Sequence, residues 1–80
     1  MPLKRVTFTF KTELIKRPVI YELGKKFDVV TNIRRAEVNQ QQGWVILELE
    51  GSLGEIERGL EWVIEQGVDV STIEGDILTG

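Results

Sequence analysis

The fold of this chain is decided by its middle, residues 28–50, which read DVVTNIRRAEVNQQQGWVILELE. Two strand-like runs, Asp28–Val38 and Trp44–Glu50, flank the polar turn Asn39–Gly43. A polar turn that ends in glycine between two such runs predicts a β-hairpin. The second run is apolar at its start and alternates at its end, which indicates a strand buried on one face and partly covered on the other.

The first run of the hairpin does not alternate as a simple half-buried strand should. Its apolar residues fall on two parities, with Val30, Ala36 and Val38 on one and Val29 and Ile33 on the other. We therefore expect a β-bulge or a change of buried face near Asn32, a feature that is common where a strand is redirected towards a site. An edge strand that is partly covered on both faces is the alternative interpretation.

A strand and a helix are predicted before the hairpin. Residues 5–11 alternate, so that the inward side chains are Val6, Phe8 and Phe10. Pro18 suits the first turn of a helix, and the apolar residues that follow at helical spacing are Ile20, Leu23 and Phe27. Gly24 lies among them, where a missing side chain would let the helix approach the sheet closely.

A second helix and a last strand are predicted after the hairpin. Ser52 and Glu55 have the spacing of a capping box, which marks a helix start. The predicted buried stripe of this helix is Leu53, Ile56, Leu60, Val63 and Ile64. Gly67 suits a helix end, and residues 68–73 read as a strand. Trp62, opposite Leu53, either lies along the helix surface or contacts a partner.

This order of elements predicts an α+β fold, the ferredoxin-like βαββαβ sandwich. It has a four-stranded antiparallel sheet with two helices on one face. The open face, which carries no helices, is expected to present Thr7, Thr9, Trp44 and Ile46. Because Trp44 and Ile46 are large apolar side chains on a face that should be wet, we expect them to form an interface.

Composition excludes many kinds of catalytic and metal site. The chain has no cysteine and no histidine, which rules out a thiol nucleophile, a disulfide, a zinc site on those ligands and an imidazole base. Lys16, Arg17 and Pro18 form a basic helix start without the glycine of an anion-binding loop. We expect no enzymatic activity, no cofactor and no metal, since no set of groups with catalytic geometry can be recognised.

Length and charge further restrict the expected function. Eighty residues predict one domain, 1–80, whose limited core favours homodimerisation. No signal peptide or membrane-spanning run is recognisable, so we expect a cytoplasmic protein. A formal net charge of −3 argues against nucleic-acid binding, and residues 44–48 do not match the aromatic pattern of RNA-binding sheets.

Several stretches together resemble the NIL domain, over about residues 6–75. They are Phe27–Ile33, Leu49–Gly51, Gly59–Val63 and Gly67–Val70. The resemblance implies a small ferredoxin-like regulatory domain, of the kind found at the C-terminus of methionine ABC transporter ATPases and in some ferredoxin-type proteins. In the transporter, such domains pair and bind methionine at their interface, which shuts down uptake.

The resemblance also implies which residues bind a ligand. It places the family's motif asparagine at Asn32 and its isoleucine at Ile33, with Arg34 in the third, usually apolar position and Val45 at a ligand-facing position of the third strand. An asparagine amide offers donors and an acceptor, which suits the carboxylate and ammonium of an amino acid. Arg34 either binds a ligand carboxylate or pairs with Glu48 across the hairpin.

Two functions are therefore expected. The first is a homodimeric sensor that binds an amino-acid-like ligand, methionine being the candidate, through Asn32, Ile33, Arg34 and Val45. The second is an adaptor that binds a separate transporter ATPase or ferredoxin through the open face, without a small-molecule ligand.

Overall fold

The computed structural model describes the backbone of residues 2–79 and the side chains of residues 2–72. The elements in chain order are β1 (Pro2–Lys11), α1 (Val19–Lys26), β2 (Val30–Val38), β3 (Gln42–Glu50), α2 (Leu53–Glu65) and β4 (Asp69–Thr79). A short 3-10 turn, Thr12–Leu14, lies between β1 and α1. The antiparallel sheet has the strand order β2-β3-β1-β4. The predicted ferredoxin-like sandwich is confirmed.

The hydrophobic core lies between the two helices and the central strands. On β1, the predicted inward residues Val6, Phe8 and Phe10 are all buried. Burial of each such side chain contributes about 1.5–3 kcal/mol. The other buried core residues are Val19, Leu23, Val29, Val45, Leu47, Leu49, Ile56, Leu60, Val63 and Val68. Among the described residues, no helix is long and apolar enough to cross a bilayer.

Both ends of α2 are set by local sequence. The Glu55 amide donates to the Ser52 hydroxyl oxygen at 3.2 Å, as the predicted N-cap requires. The Glu55 carboxylate accepts from the Asp28 amide at 2.8 Å, so the helix start is also linked to the segment before β2. At the other end Gly67 has φ +98°, and the Val68 amide donates to the Val63 carbonyl at 3.4 Å. This is a Schellman ending.

The buried stripe of α2 is narrower than predicted. Ile56, Leu60 and Val63 are buried, but Leu53 is 45% exposed and Ile64 is 56% exposed. The prediction is wrong for these two residues because Leu53 begins the helix at the margin of the core. Ile64 lies about 100° further around the helix than Val63.

Glycines allow close approach at positions other than the predicted one. Gly24 is exposed, and a Cβ there would make only an ordinary 3.8 Å contact with the Val29 carbonyl. At Gly59 an added Cβ would lie 2.8 Å from Leu23 Cδ1, so glycine lets α2 pack closely against α1. The prediction for Gly24 is wrong, because the tight contact lies between the helices and not between α1 and the sheet.

Trp62 lies along the helix surface, the first of the two predicted arrangements. Its ring centroid is 6.1 Å from that of Phe27. The cationic groups of Arg17 and Lys26 lie 5.9 Å and 5.7 Å from its ring centroid. The indole is therefore partly covered by residues of its own chain.

Gly51 provides a test of the packing where β3 ends. An added Cβ would lie 2.7 Å from the Asp28 carbonyl oxygen, a backbone atom that cannot rotate away. We expect Gly51→Ala to destabilise the fold by about 1–3 kcal/mol, measured by urea unfolding. Gly54→Ala is the matched control, since nothing lies within 4 Å of its added Cβ. It should stabilise α2 by up to about 1 kcal/mol. Equal effects of the two substitutions would contradict the close approach at Gly51.

Candidate functional site

The second strand is an edge strand with an unusually exposed set of apolar residues. β2 pairs with β3 on one side, and no other described strand pairs with its outer backbone edge. Val30, Ile33 and Val38 are each more than half exposed. A long edge strand with exposed apolar side chains favours pairing with another chain.

A β-bulge interrupts β2 at the predicted place. Ile33 lies opposite Leu47 and Arg35 lies opposite Ile46, so Arg34 is the extra residue between two consecutive pairs. The bulge changes which face successive side chains occupy, because residues alternate between faces with a period of two. Asn32, opposite Glu48, lies on the open face, and so does Arg35. The predicted β-bulge near Asn32 is confirmed. β2 is also an edge strand.

Three arginines gather around Ile46 on the open face. Arg5, Arg34, Arg35 and Ile46 line a shallow depression of about 430 Å³. Glu48, whose side chain is only 13% exposed, lies 3.0 Å from Arg5 and 3.9 Å from Arg34. The predicted pairing of Arg34 with Glu48 across the hairpin is thus present. We call Arg5, Arg34 and Arg35 the arginine cluster.

Glu48 pairs with two members of the arginine cluster, Arg5 and Arg34. Within the described part of the chain, the side chain of Arg35 makes no hydrogen bond or ion pair. A guanidinium group presents a planar fork of donors that matches a carboxylate. The surface therefore offers donors for an anionic group brought by another molecule.

The predicted ligand and interface residues lie on two opposite faces of the sheet. Asn32, Trp44 and Ile46 lie on the open face, and Arg34 reaches Glu48 on the same face. Ile33 pairs with buried Leu47 and lies on the helix side. Val45 is 6% exposed and belongs to the core on that side. Val45 therefore does not share a face with Asn32, because alternation turns it inward between Trp44 and Ile46.

An apolar groove on the helix side was not predicted from the sequence. It measures about 170 Å³ and is lined by Phe10, Ile15, Arg17, Pro18, Val19, Ile20, Val38, Gly43 and Val45. The lining joins the start of α1 to the turn end of the hairpin, two places far apart in the sequence. Arg17 is fixed there by Glu22, with N–O distances of 3.0 Å and 3.1 Å. The predicted basic helix start thus carries an internal ion pair.

The Arg17–Glu22 pair makes stability depend on pH. Hydrogen bonds from Arg17 hold the pKa of Glu22 below its ordinary value. A lowered folded-state pKa stabilises the fold above the ordinary glutamate pKa of about 4.3, and this contribution is lost as the pH falls through the folded-state value. Glu22→Gln should therefore be less stable than the wild type at pH 7, with a smaller difference at pH 3. Urea unfolding at both pH values measures this difference.

Glu61→Gln on the exposed side of α2 is the control for this pH dependence. It should leave the wild-type profile unchanged. An equal deficit of Glu22→Gln at pH 7 and pH 3 would show that the ion pair does not cause the pH dependence.

Comparisons with known proteins agree with this fold. The NIL domain profile matches residues 4–72. The C-terminal domain of an ABC transporter ATP-binding protein from Enterococcus faecalis superposes with a TM-score of 0.78, at 22% identity, over 91% of this chain and 86% of that one. The L-aspartate semialdehyde sulfurtransferase iron-sulfur subunit of Methanocaldococcus jannaschii is 38% identical over 64 residues, which are 80% of this chain and 49% of that protein.

The fold and the site define a ferredoxin-like domain whose candidate binding surface lies along an edge strand. The chain belongs to the NIL domain family, because the family profile covers most of its length. It spans about half the length of the sulfurtransferase subunit that it resembles.

Proposed function

We propose that this domain is a non-catalytic regulatory module that pairs with a second copy along β2 and binds an amino-acid-like ligand at Asn32 and Arg34. The observation that carries the proposal is the exposed edge of β2, where the motif residues and apolar side chains lie together. Membership of the NIL family supports a regulatory role. The similarity to a domain of a transporter ATP-binding protein supports the same fold.

The edge position explains how motif residues on opposite faces can serve one site. Asn32 and Ile33 point to different sides of the sheet. Because no described strand covers the outer edge of β2, a molecule or a second strand bound along that edge can reach both side chains. Val45 is shielded by its burial, and in this proposal it supports the strand from within the core and does not contact the ligand.

The chemistry of the site suits an amino acid. The Asn32 amide supplies donors and an acceptor for an ammonium and a carboxylate, and Arg34 supplies a fixed cation. Trp44 and Ile46 are half-buried on the same face and offer apolar contact. Methionine is the first ligand to test, because Asn32 and Ile33 resemble the motif of domains that bind methionine in its transporters.

A thermal-shift titration tests the ligand. A ligand present at about 100 times its dissociation constant stabilises the folded state by about 2.7 kcal/mol. We expect L-methionine or another amino acid from a panel to raise the melting temperature of the wild type, and Asn32→Ala to abolish the shift. Ser71→Ala is the control, because Ser71 is an exposed polar residue opposite Thr7 on the other edge strand. No shift with any amino acid would exclude this ligand class.

Sedimentation velocity tests the pairing separately. Ile33 is 54% exposed on β2 and Ile64 is 56% exposed on α2, so the two isoleucines are matched in chemistry and exposure. We expect Ile33→Glu to weaken a wild-type dimer by at least about tenfold, because a charge would be buried in the interface. Ile64→Glu should leave the dimer intact. Equal effects of both variants would place the interface elsewhere.

An adaptor function is the second proposal. The chain matches about half of a protein named as an iron-sulfur subunit, and the half-buried Trp44 and Ile46 sit beside the arginine cluster. In this proposal the open face binds a separate transporter ATPase or iron-sulfur protein in the cytoplasm. Binding of such a purified partner, lost in Trp44→Ala but not in Asn32→Ala, would favour the adaptor over the sensor.

A further inference from the structure

We propose that two copies of this domain pair along β2 in one register, centred on Ala36, in which Arg35 of each copy forms an ion pair with Glu37 of the other. The inference rests on the proposed dimer and deepens it, since it names the residues that the two copies bring together. It depends on the face that the two charged side chains share and on the direction of the backbone groups of β2.

Arg35 and Glu37 lie side by side on the open face, after the bulge. In the register with β3, Arg35 lies opposite Ile46 and Glu37 lies opposite Trp44. Both charged residues are exposed. Among the described residues, neither side chain makes a hydrogen bond or an ion pair. This end of β2 therefore presents one cation and one anion to a molecule that approaches the edge.

The hairpin turn shows which backbone groups of β2 point to the free edge. The Asn39 amide donates to the Gln42 carbonyl at 2.9 Å, so these two residues form a hydrogen-bonded pair. Hydrogen-bonded and non-hydrogen-bonded pairs alternate along an antiparallel ladder. Counting back from Asn39, Glu37 turns its backbone groups to β3. Ala36 and Val38 turn theirs to the outer edge, with which no other described strand pairs.

A twofold axis at Ala36 uses these free backbone groups and pairs both charges. Two copies of a chain usually pair about a twofold axis, so that each strand meets its own copy in the antiparallel sense. With the axis at Ala36, the alanines of the two copies exchange backbone hydrogen bonds. Arg35 of each copy then lies opposite Glu37 of the other on the open face. This is a non-hydrogen-bonded pair, the kind in which side chains approach more closely.

The side chains around these positions favour the ion pairs. A guanidinium group and a carboxylate can form two parallel hydrogen bonds, and opposite charges across paired strands are stabilising. Trp44 and Ile46 are half-buried next to Glu37 and Arg35, so they border the ion pairs with apolar surface. Ala36 has the smallest side chain of β2, so little bulk stands where the two copies meet.

The charges disfavour a register centred on the bulge. That register would pair more of β2, but it would place Arg34 and Arg35 of one copy close to those of the other. Like charges across paired strands are destabilising. The register centred on Ala36 sets Arg34 opposite Val38 of the second copy instead. Asn32 and Arg34 then lie next to the hairpin turn of the second copy, which therefore borders each proposed ligand site.

Charge reversal tests this register by sedimentation velocity of the whole chain. Arg35→Glu brings acids together at the paired positions, and Glu37→Arg brings bases together. We expect each variant alone to dimerise at least about tenfold more weakly than the wild type. An equimolar mixture of the two, with one variant fluorescently labelled, should form a heterodimer of nearly wild-type affinity, because each acid then meets a base. The variant that carries both substitutions should self-associate like the wild type.

Lys25→Glu is the matched control, because Lys25 is an exposed cation on α1 and its reversal changes the net charge as much as Arg35→Glu does. Alone it should dimerise like the wild type. Mixed with Glu37→Arg it should pair more weakly than Arg35→Glu does, because one arginine still faces another. Equal pairing by the two would show a response to net charge alone and would overturn the register. Tighter self-association of Arg35→Glu than of the wild type would also overturn it, in favour of an axis at the bulge.

Ala36→Pro gives a second, independent readout. Because the Ala36 amide points to the free edge, a proline there removes no hydrogen bond to β3. We expect a monomer whose fold circular dichroism confirms. A folded Ala36→Pro that dimerises like the wild type would overturn the register, and the mixing experiment does not depend on this variant.

The outcomes separate the register from the proposed dimer. If Ile33→Glu weakens the dimer but mixing the two charge variants does not restore it, the register is overturned and the pairing along β2 stands. A wild type that stays monomeric at every concentration would overturn the dimer and the register together. The charges of β2 would then serve to prevent edge-to-edge pairing, a known use of charges on edge strands.

Discussion

The bulge at Arg34 is the constraint on which the surface of this domain depends. Successive side chains of a strand point to opposite faces of the sheet. One extra residue therefore moves every later side chain of the strand to the other face. Before the bulge Asn32 lies on the open face opposite Glu48, and after the bulge Arg35 lies on the same face opposite Ile46. Without the extra residue, Arg35 would turn to the helix side. The bulge thereby collects polar and cationic groups of β2 on one face.

The edge position of β2 gives this surface its second property. The helices pack over the central strands, where the inward residues of β1 and β3 are buried, and β2 lies beyond them. Its apolar side chains consequently remain exposed. An exposed apolar edge with cations at its middle combines a tendency to pair with a resistance to pairing. The proposed sensor derives from this exposed edge, along which the motif residues lie.

Short-range patterns predicted the framework of the fold well. The Ser52 cap and the Gly67 ending involve backbone groups within a few residues, and both were recognisable from spacing alone. The inward residues of β1 followed from alternation. Errors appeared where a distant element decides the outcome. Gly24 has open surroundings, whereas Gly59 meets Leu23 of the other helix. Leu53 and Ile64 fit the helical period but lie outside the area that the sheet covers.

Only part of the candidate site could be predicted from the sequence, because segments far apart in the chain decide the rest. Asn32 and Arg34 were identified from the motif, and the slip in alternation located the bulge. Val45 was assigned to the ligand by resemblance, although the alternation of β3 turns it into the core. Arg5 and Arg35 were not predicted. Arg5 is 43 residues from Glu48 in the sequence, and only the pairing of β1 with β3 brings them together.

The sequence by itself determined the order of elements, the ends of α2, the place of the bulge and the excess of cations in β2, because these depend on residue types and short spacings. Only the tertiary structure decided that β2 lies at the edge of the sheet, that Arg5 joins Arg34 and Arg35 around Ile46, and that an apolar groove opens beside α1. The physical reason is that strand order and register are set by packing between segments far apart in the chain. Local patterns carry no record of which distant segment a residue will meet.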